Sequence, residues 1–399
     1  VNKEDFPIFL NNKDLVYLDS SATSLKPIKV IEEINNYYNF YTANLHRGDY
    51  DNAIIVNNKV EATRSLIKNF LNARYEKEII FTSGSTESLN MIVFSFMKNF
   101  LKKDDEVLIS KTEHASNVLP WLVLEKEIGI KLKYISLKEN LTIDYNKLES
   151  MINSKTKVVS IAHITNTVGD IRNLNKIRDI IKDKNIYFVV DGAQSAGHIK
   201  VDLQEINCDF YVFSGHKMYA DTGIGILYGK KELLQKMKPF KYGGGMNDTY
   251  DLESYSLKPL PYKFDAGTVN ISGILSLKAS IEYINNIGIE NITNYIKELS
   301  DFLYDNLKDT KNIKIYNNNF NTGIMIFNID KVFSQDLSVF LNKYNICVRS
   351  GNHCSKLLKD LIGIGNTCRI SLNIYNTKED IIKLKEVLNK QDEIYENII

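Results

Sequence analysis

The chain has 399 residues, enough for two domains and a sizeable core. Its 50 Lys+Arg against 49 Asp+Glu leave a net charge of +1, and no basic stripe carries interleaved aromatics, which argues against a nucleic-acid partner. No apolar stretch nears the ~18–20 residues that cross a bilayer, so no membrane role is expected. The four cysteines, Cys208, Cys347, Cys354 and Cys368, have no CxxC spacing and make neither a disulfide framework nor a zinc site. A reducing compartment fits best. The chain starts at Val1 without a methionine, and a eukaryotic source, with a targeting segment removed before this numbering begins, would place it in a plastid-type organelle (plastid or apicoplast). The other expectation is a bacterial cytoplasm. The wealth of Asn, Lys, Ile and Tyr reads as codon bias, and the asparagine run 317–319 as a surface loop.

In chain order, Tyr17-Leu18-Asp19 is an apolar start running into small hydroxyl residues, and Pro27 suits a first helical turn. The stretch Asn44-Leu45-His46-Arg47-Gly48 reads on its own as a surface loop with a basic pair. Residues 78–81 read as a strand. Gly84-Ser85-Thr86-Glu87 then opens a helix in which Leu89, Ile92, Val93, Phe96, Met97 and Phe100 repeat as a buried face does. A small hydroxyl turn at a helix start is an ordinary cap or a seat for phosphate, since its N–H groups lack partners. Strand 107–110 ends in Lys111-Thr112-Glu113-His114, whose imidazole either caps the turn or offers a flat ring for stacking. Strand 157–161 leads to His163-Ile164-Thr165-Asn166, where asparagine suits a turn, and a helix around 174–182 follows.

Two short apolar runs, 186–190 and 210–213, read as buried parallel strands. The first ends in Asp191, the second in Ser214-Gly215-His216-Lys217. A carboxylate and a lysine therefore leave one sheet edge, where open α/β sheets bind ligands. Lysine there can form a Schiff base with a carbonyl cofactor, and a buried aspartate can keep a pyridinium protonated, as pyridoxal-phosphate chemistry requires. Taken alone, such a pair is as readily a cap or an ion pair. The segment Lys241-Tyr242-Gly243-Gly244-Gly245-Met246 is a linker or a backbone close to a ligand, and Thr268 precedes a long helix from about Ser272, which it could simply cap. Beyond it come shorter elements: strands 323–329, 346–349 and 367–372, a helix over 334–344 and a last one from Lys378. Cys354 follows Arg349-Ser350-Gly351-Asn352-His353 in a polar loop, where nearby Arg and His favour a nucleophilic thiolate. The bland reading is an incidental thiol. Cys208, Cys347 and Cys368 sit in apolar contexts and read as core.

These segments together resemble the class V aminotransferase family, and within it the cysteine desulfurases of the SUF type. The resemblance runs from Tyr17-Leu18-Asp19 to Tyr375-Asn376-Thr377. It implies the α/β fold of PLP-dependent transferases (aspartate aminotransferase-like): a large domain, 14–280, with a mostly parallel seven-stranded sheet, and a smaller α+β domain, 281–399, on which residues 1–13 pack. It implies that Lys217 carries pyridoxal 5′-phosphate, that Asp191 pairs with its ring nitrogen, and that His114 stacks on the ring. Asn166 and Gln194 would bond the ring oxygen, and Thr86, Ser214, His216 and the neighbouring subunit's copy of Thr268 would hold the phosphate. Arg369, with Asn166, His46 and Arg349, would hold the substrate. Two departures stand out: Asn352 replaces the first histidine of the family's RxGHHC loop, and Ala220-Asp221 stands where Gly/Ala-Pro is common. The short cysteine loop favours the SUF branch.

The resemblance further implies conversion of L-cysteine to L-alanine, with the sulfur left as a persulfide on Cys354. The sulfur would pass to a SUF-system acceptor protein, SufE- or SufU-like, for iron–sulfur cluster assembly. The enzyme would be a homodimer. Selenocysteine lyase, another class V β-lyase and a non-catalytic scaffold are the rival readings. Intact Lys217, Asp191, His114, Arg369 and Cys354 speak against the scaffold.

Overall fold

The computed structural model describes residues 3–46 and 48–394. A seven-stranded sheet runs in the order Ile79–Thr82, Gly225–Gly229, Phe210–Ser214, Tyr187–Asp191, Thr156–Ala162, Glu106–Ile109, Lys131–Tyr134. Only Gly225–Gly229 runs against its neighbours within this sheet; the other pairings are parallel. The expected mostly parallel α/β sheet is therefore present, with strand ends within a residue or two of those read from the apolar runs.

Successive side chains of a strand point to opposite faces, so each run feeds two cores. Ile80, Val107, Val158, Val189, Val212 and Leu227 pack on one face, against Trp121 and Leu124 of the helix Leu119–Ile128. Phe81, Val159, Val190, Tyr211, Phe213 and Ile226 pack on the other, against the helices Asp51–Phe70 and Ile271–Ile287. Phe188, Phe210, Tyr211 and Phe213 are fully buried, and each such side chain contributes about 1.5–3 kcal/mol by leaving water. This two-sided core fixes the carboxyl ends of the parallel strands at one edge.

A second, antiparallel sheet runs Ile313–Ile315, Ile324–Ile329, Thr367–Ser371, Arg349–Gly351. It has its own core of Leu299, Leu303, Phe327, Phe340, Ile370 and Leu384. The N-terminal segment touches both regions. Val16 and Tyr17 pair with Ile346 and Cys347, and Lys3 meets Asp380 at 2.6 Å, while the Phe6 ring lies 6.4 Å from Tyr219 and 4.9 Å from Tyr375.

Three expectations need correction, the first being the asparagine run 317–319, of which Asn317 is buried and donates to the Val168 and Ile324 carbonyls at 2.8 and 2.9 Å. The helix opened at Gly84 covers Ser85–Asn90, then widens into a π-helix over Met91–Phe96 and a 3-10 turn. The change of pitch turns Phe100 outward to 40 % exposure, although Leu89, Ile92, Val93, Phe96 and Met97 remain buried. Cys347 is half-buried, not core, because its two-residue strand lies at the edge beside Tyr17. Among the described residues no helix is long and apolar enough to cross a membrane.

Candidate active site

A cavity of about 210 Å³ opens at the carboxyl edge of the large sheet. Ser85, Thr86, His114, Asn166, Asp191, Gln194, Ser214, His216, Lys217 and Arg349, ten of the residues that line it, come from six separate chain segments. Every expected cofactor residue except Thr268 is in that set.

Lys217 ends a 3-10 turn, Gly215–Lys217, directly after its strand. Burial pulls its amine down to about 8, Arg369 and Arg349 add to this, and Asp191 opposes it. Asp191 ends the neighbouring strand, in register with Val212. Its carboxylate accepts the Ala193 N–H at 3.0 Å, yet burial outweighs that bond and Lys217, and raises it to about 6. Such a buried carboxylate is a receptor for a cation.

At the other end of the cavity Gly84 has φ 151°, which a side chain would strain. The turn it makes brings the Ser85 N–H within 2.8 Å of Ser214 Oγ, and Thr86 Oγ1 within 2.8 Å of Ser116 Oγ. These small hydroxyl groups form a polar seat fit for an anion. The histidines there are neutral: burial lowers His114 to about 4 and His216 to about 4, with Lys217 the next cause in each. His114 Nδ1 accepts the Ser116 N–H at 3.1 Å, which turns its ring into a fixed orientation.

Behind His114 lies a buried ion-pair cluster that the sequence did not announce. Arg172 pairs with Glu113 and, at 3.5 Å, with Asp170, and donates to Ser110 and Thr112 at 2.7 Å each. Glu113 also accepts from Asn117 and from the Ala162 N–H. The cluster ties together the loops that carry His114 and Asn166.

Arg349 and Arg369 are direct cross-strand partners in the small sheet. Like charges so placed repel, and burial together with Arg349 holds Arg369 below its ordinary value despite Asp19. Arg369 is fully buried and does not line the cavity. Its Nη2 donates to Asp19 at 2.7 Å and its Nη1 to the Asn166 carbonyl at 3.0 Å, while its Nε is buried without a partner. Asp19, read earlier only as the end of an apolar start, is thus the partner of the expected carboxylate receptor. An ionisable residue closing an apolar run was the available signal, the same one that marked Asp191.

Cys354 is half-buried in a loop against the cavity. Arg349, which lines the cavity, donates from Nη2 to Cys354 Sγ at 3.4 Å. The expected help from a neighbouring imidazolium is absent, because burial, Arg369 and Arg349 lower His353 to about 3 and leave it neutral. Asn166 is tied to the cysteine loop as well. Its amide donates to the His353 carbonyl at 2.8 Å and accepts from Ser355 Oγ at 3.1 Å, so it clasps the cysteine loop while lining the cavity. Gln194 donates to the Ser21 carbonyl at 2.9 Å.

Two expected residues lie elsewhere in this chain. Thr268 is exposed and accepts from Asn44 Nδ2 at 3.1 Å, in a separate depression with Ser83, Glu87 and Lys241. His46 is exposed, in the left-handed region, with its ring 5.5 Å from Tyr262. Its neighbour Arg47 lies outside the described residues.

Residues 16–384 match the family model of class-V aminotransferases. A probable cysteine desulfurase of Halalkalibacterium halodurans is 39 % identical over 99 % of this chain and 98 % of its own length. Among solved structures, the apo cysteine desulfurase of Thermococcus onnurineus superposes with a TM-score of 0.93 at 33 % identity, covering 98 % of this chain and 96 % of that one. The cysteine desulfurase CsdA of Escherichia coli, in its S-sulfonic acid form, gives 0.91 at 31 % identity, covering 100 % and 98 %.

Proposed function

The chain belongs to the class-V aminotransferase family, and from that premise we propose that it is a pyridoxal-phosphate-dependent cysteine desulfurase that makes L-alanine and a persulfide on Cys354. The cavity's donor set suits the cofactor: an amine near neutrality, a buried carboxylate in want of a cation, a flat neutral imidazole and a hydroxyl-lined anion seat. Pyridoxal phosphate, when bound, supplies a carbonyl for amino groups and a pyridinium that draws electrons from the substrate's Cα. Lys217 would bind that carbonyl, Asp191 the ring N–H and His114 the ring face. Asn166 and Gln194 would meet the ring oxygen, and Ser85, Thr86, Ser214 and His216 the phosphate.

The remaining steps fall to the chain's own groups. Arg349, which lines the cavity, would meet the substrate carboxylate first, and Arg369 behind it, held by Asp19 and the Asn166 carbonyl, would complete the grip with its guanidinium. The free amine of Lys217 takes the proton from Cα. The Cys354 thiolate forms an S–S bond to the substrate sulfur as the Cβ–S bond breaks with its electron pair left on carbon, and two protons, the one Lys217 took from Cα and the one from the substrate thiol, return to Cα and Cβ to complete alanine. The observation that carries the reading is Arg349, which lines the Lys217 cavity and at the same time donates to Cys354 Sγ.

The finer parts of the proposal are a homodimer in which Thr268 and His46 serve the neighbour's site, and transfer of sulfur to a SUF-type acceptor in a reducing compartment. The division into 14–280 and 281–399 belongs here too, and the separate core of the small sheet supports it. The test is L-cysteine turnover with mass spectrometry of the four cysteines. Alanine should form, with one sulfur atom added to Cys354 only, and Cys354→Ala should stop both. Alanine released by Cys354→Ala at the unaltered rate would replace this reading by the β-lyase one; release from L-selenocysteine alone would favour the selenocysteine lyase.

A further inference from the structure

The loop that carries Cys354 is held in an unusual shape. His353 has φ 53° and Cys354 φ 59°, two consecutive left-handed residues, neither of them glycine. A side chain resists that conformation, so it persists only where its surroundings over-determine it. The restraints are visible. The Cys354 carbonyl accepts the Ala115 N–H at 2.7 Å, the His353 carbonyl accepts Asn166, and the His353 ring meets Thr367 Oγ1 at 2.8 Å. The Cys354 N–H itself is taken by Asn352 Oδ1 at 3.0 Å, across two residues.

Asn352 is the position where the family pattern has a histidine, and asparagine cannot exchange a proton near neutral pH. Elsewhere in this molecule a histidine makes the same bond: His114 Nδ1 accepts the Ser116 N–H, also two residues on, at 3.1 Å. Imidazole Nδ1 and amide Oδ1 stand equally far along their side chains, so either one can accept that N–H.

We propose that Asn352 is a positioning residue whose side-chain oxygen fixes Cys354 in the left-handed conformation that keeps Sγ beside Arg349, so that position 352 serves as a hydrogen-bond acceptor and not as an acid or base. This rests on the reading of Cys354 as the sulfur acceptor. Asn352 is exposed, so replacing it leaves the core untouched. With Ala at 352 the Cys354 N–H loses its partner, the loop relaxes and Sγ leaves the guanidinium.

The test compares holoenzyme variants Asn352→Ala, Asn352→Ser and Asn352→His. Iodoacetamide labelling of Cys354, followed by mass spectrometry without substrate, should slow about fivefold in Asn352→Ala, because the thiol loses its cationic neighbour. Persulfide formation from L-cysteine should fall with it, while cofactor absorbance and melting temperature stay put. Ser and His both supply an acceptor, and should restore labelling to within about twofold. Unchanged labelling in Asn352→Ala would overturn the proposal, as would a His variant as slow as Ala. If instead Cys354→Ala still releases alanine, the desulfurase reading fails and the labelling comparison keeps its meaning.

Discussion

Asp191 shows how one residue can be costly alone and useful when a ligand arrives. Its carboxyl ordinarily titrates near 3.8 and burial raises it to about 6, a difference worth ~3 kcal/mol. A raised acid binds more protons folded than unfolded. Its contribution to stability is therefore full below about 3.8 and is lost as the pH climbs through about 6. At neutral pH the protein without cofactor carries an ionised carboxylate that burial disfavours. Asp191→Asn keeps an acceptor for the Ala193 N–H and removes the charge. The cofactor-free variant should thus melt higher than the unaltered protein near neutral pH and equally near pH 3.5, while holding pyridoxal phosphate more weakly. Melting curves at the two pH values check this. Equal melting at both would mean that the carboxylate is not penalised by burial.

At the scale of elements, the sheet was readable because both of its faces are covered, which makes buried parallel strands into short, nearly unbroken apolar runs. Asp191, Lys217, His114 and Asn166 were readable for a related reason: polar residues that close such runs collect at the ligand-binding edge. What escaped the sequence depends on contacts between distant segments. Arg172 is 59 residues from Glu113, and Arg369 is 350 from Asp19, so no local pattern marks either pair. The double engagement of Asn166 by the cysteine loop, and the left-handed pair at His353 and Cys354, are likewise products of tertiary packing. One glycine contact at this scale can be tested. A Cβ on Gly225 would lie 2.4 Å from Gly84 Cα and 2.6 Å from the Phe213 carbonyl, between the antiparallel strand and the hydroxyl-lined turn. Gly225→Ala should cost about 1–3 kcal/mol of stability by overpacking and loosen the anion seat. Thermal melts and pyridoxal-phosphate titration read the two effects separately, and unchanged values in both would show that the turn can give way freely.

For the whole molecule, the question is why Thr268, expected at the phosphate, and His46, expected at the substrate, stand outside the cavity that the other expected cofactor residues line. Thr268 is joined to Asn44 on the surface, and the same loop carries His46. Large apolar side chains are exposed on nearby stretches of chain, including Tyr38, Phe40, Tyr50, Tyr250 and Leu252. Exposed apolar residues in such number fit a surface that a second copy covers, and in a two-fold dimer the same patch faces itself. The proposed homodimer then accounts for both facts, since each chain's Thr268 would complete the other's phosphate seat. The consequence is a complementation that a monomer cannot give. In Lys217→Ala dimers both sites lack the amine, and in Thr268→Ala dimers both seats are incomplete. A mixed dimer has one site with both defects and one with neither, because the Thr268→Ala chain supplies Lys217 and its partner supplies Thr268. Two weak preparations, mixed and allowed to exchange subunits, should therefore release more alanine from L-cysteine than their separate rates add up to, with a ceiling near half the unaltered activity per dimer. Simple additivity, in a sample that mass spectrometry shows to contain mixed dimers, would place Thr268 outside the neighbour's site.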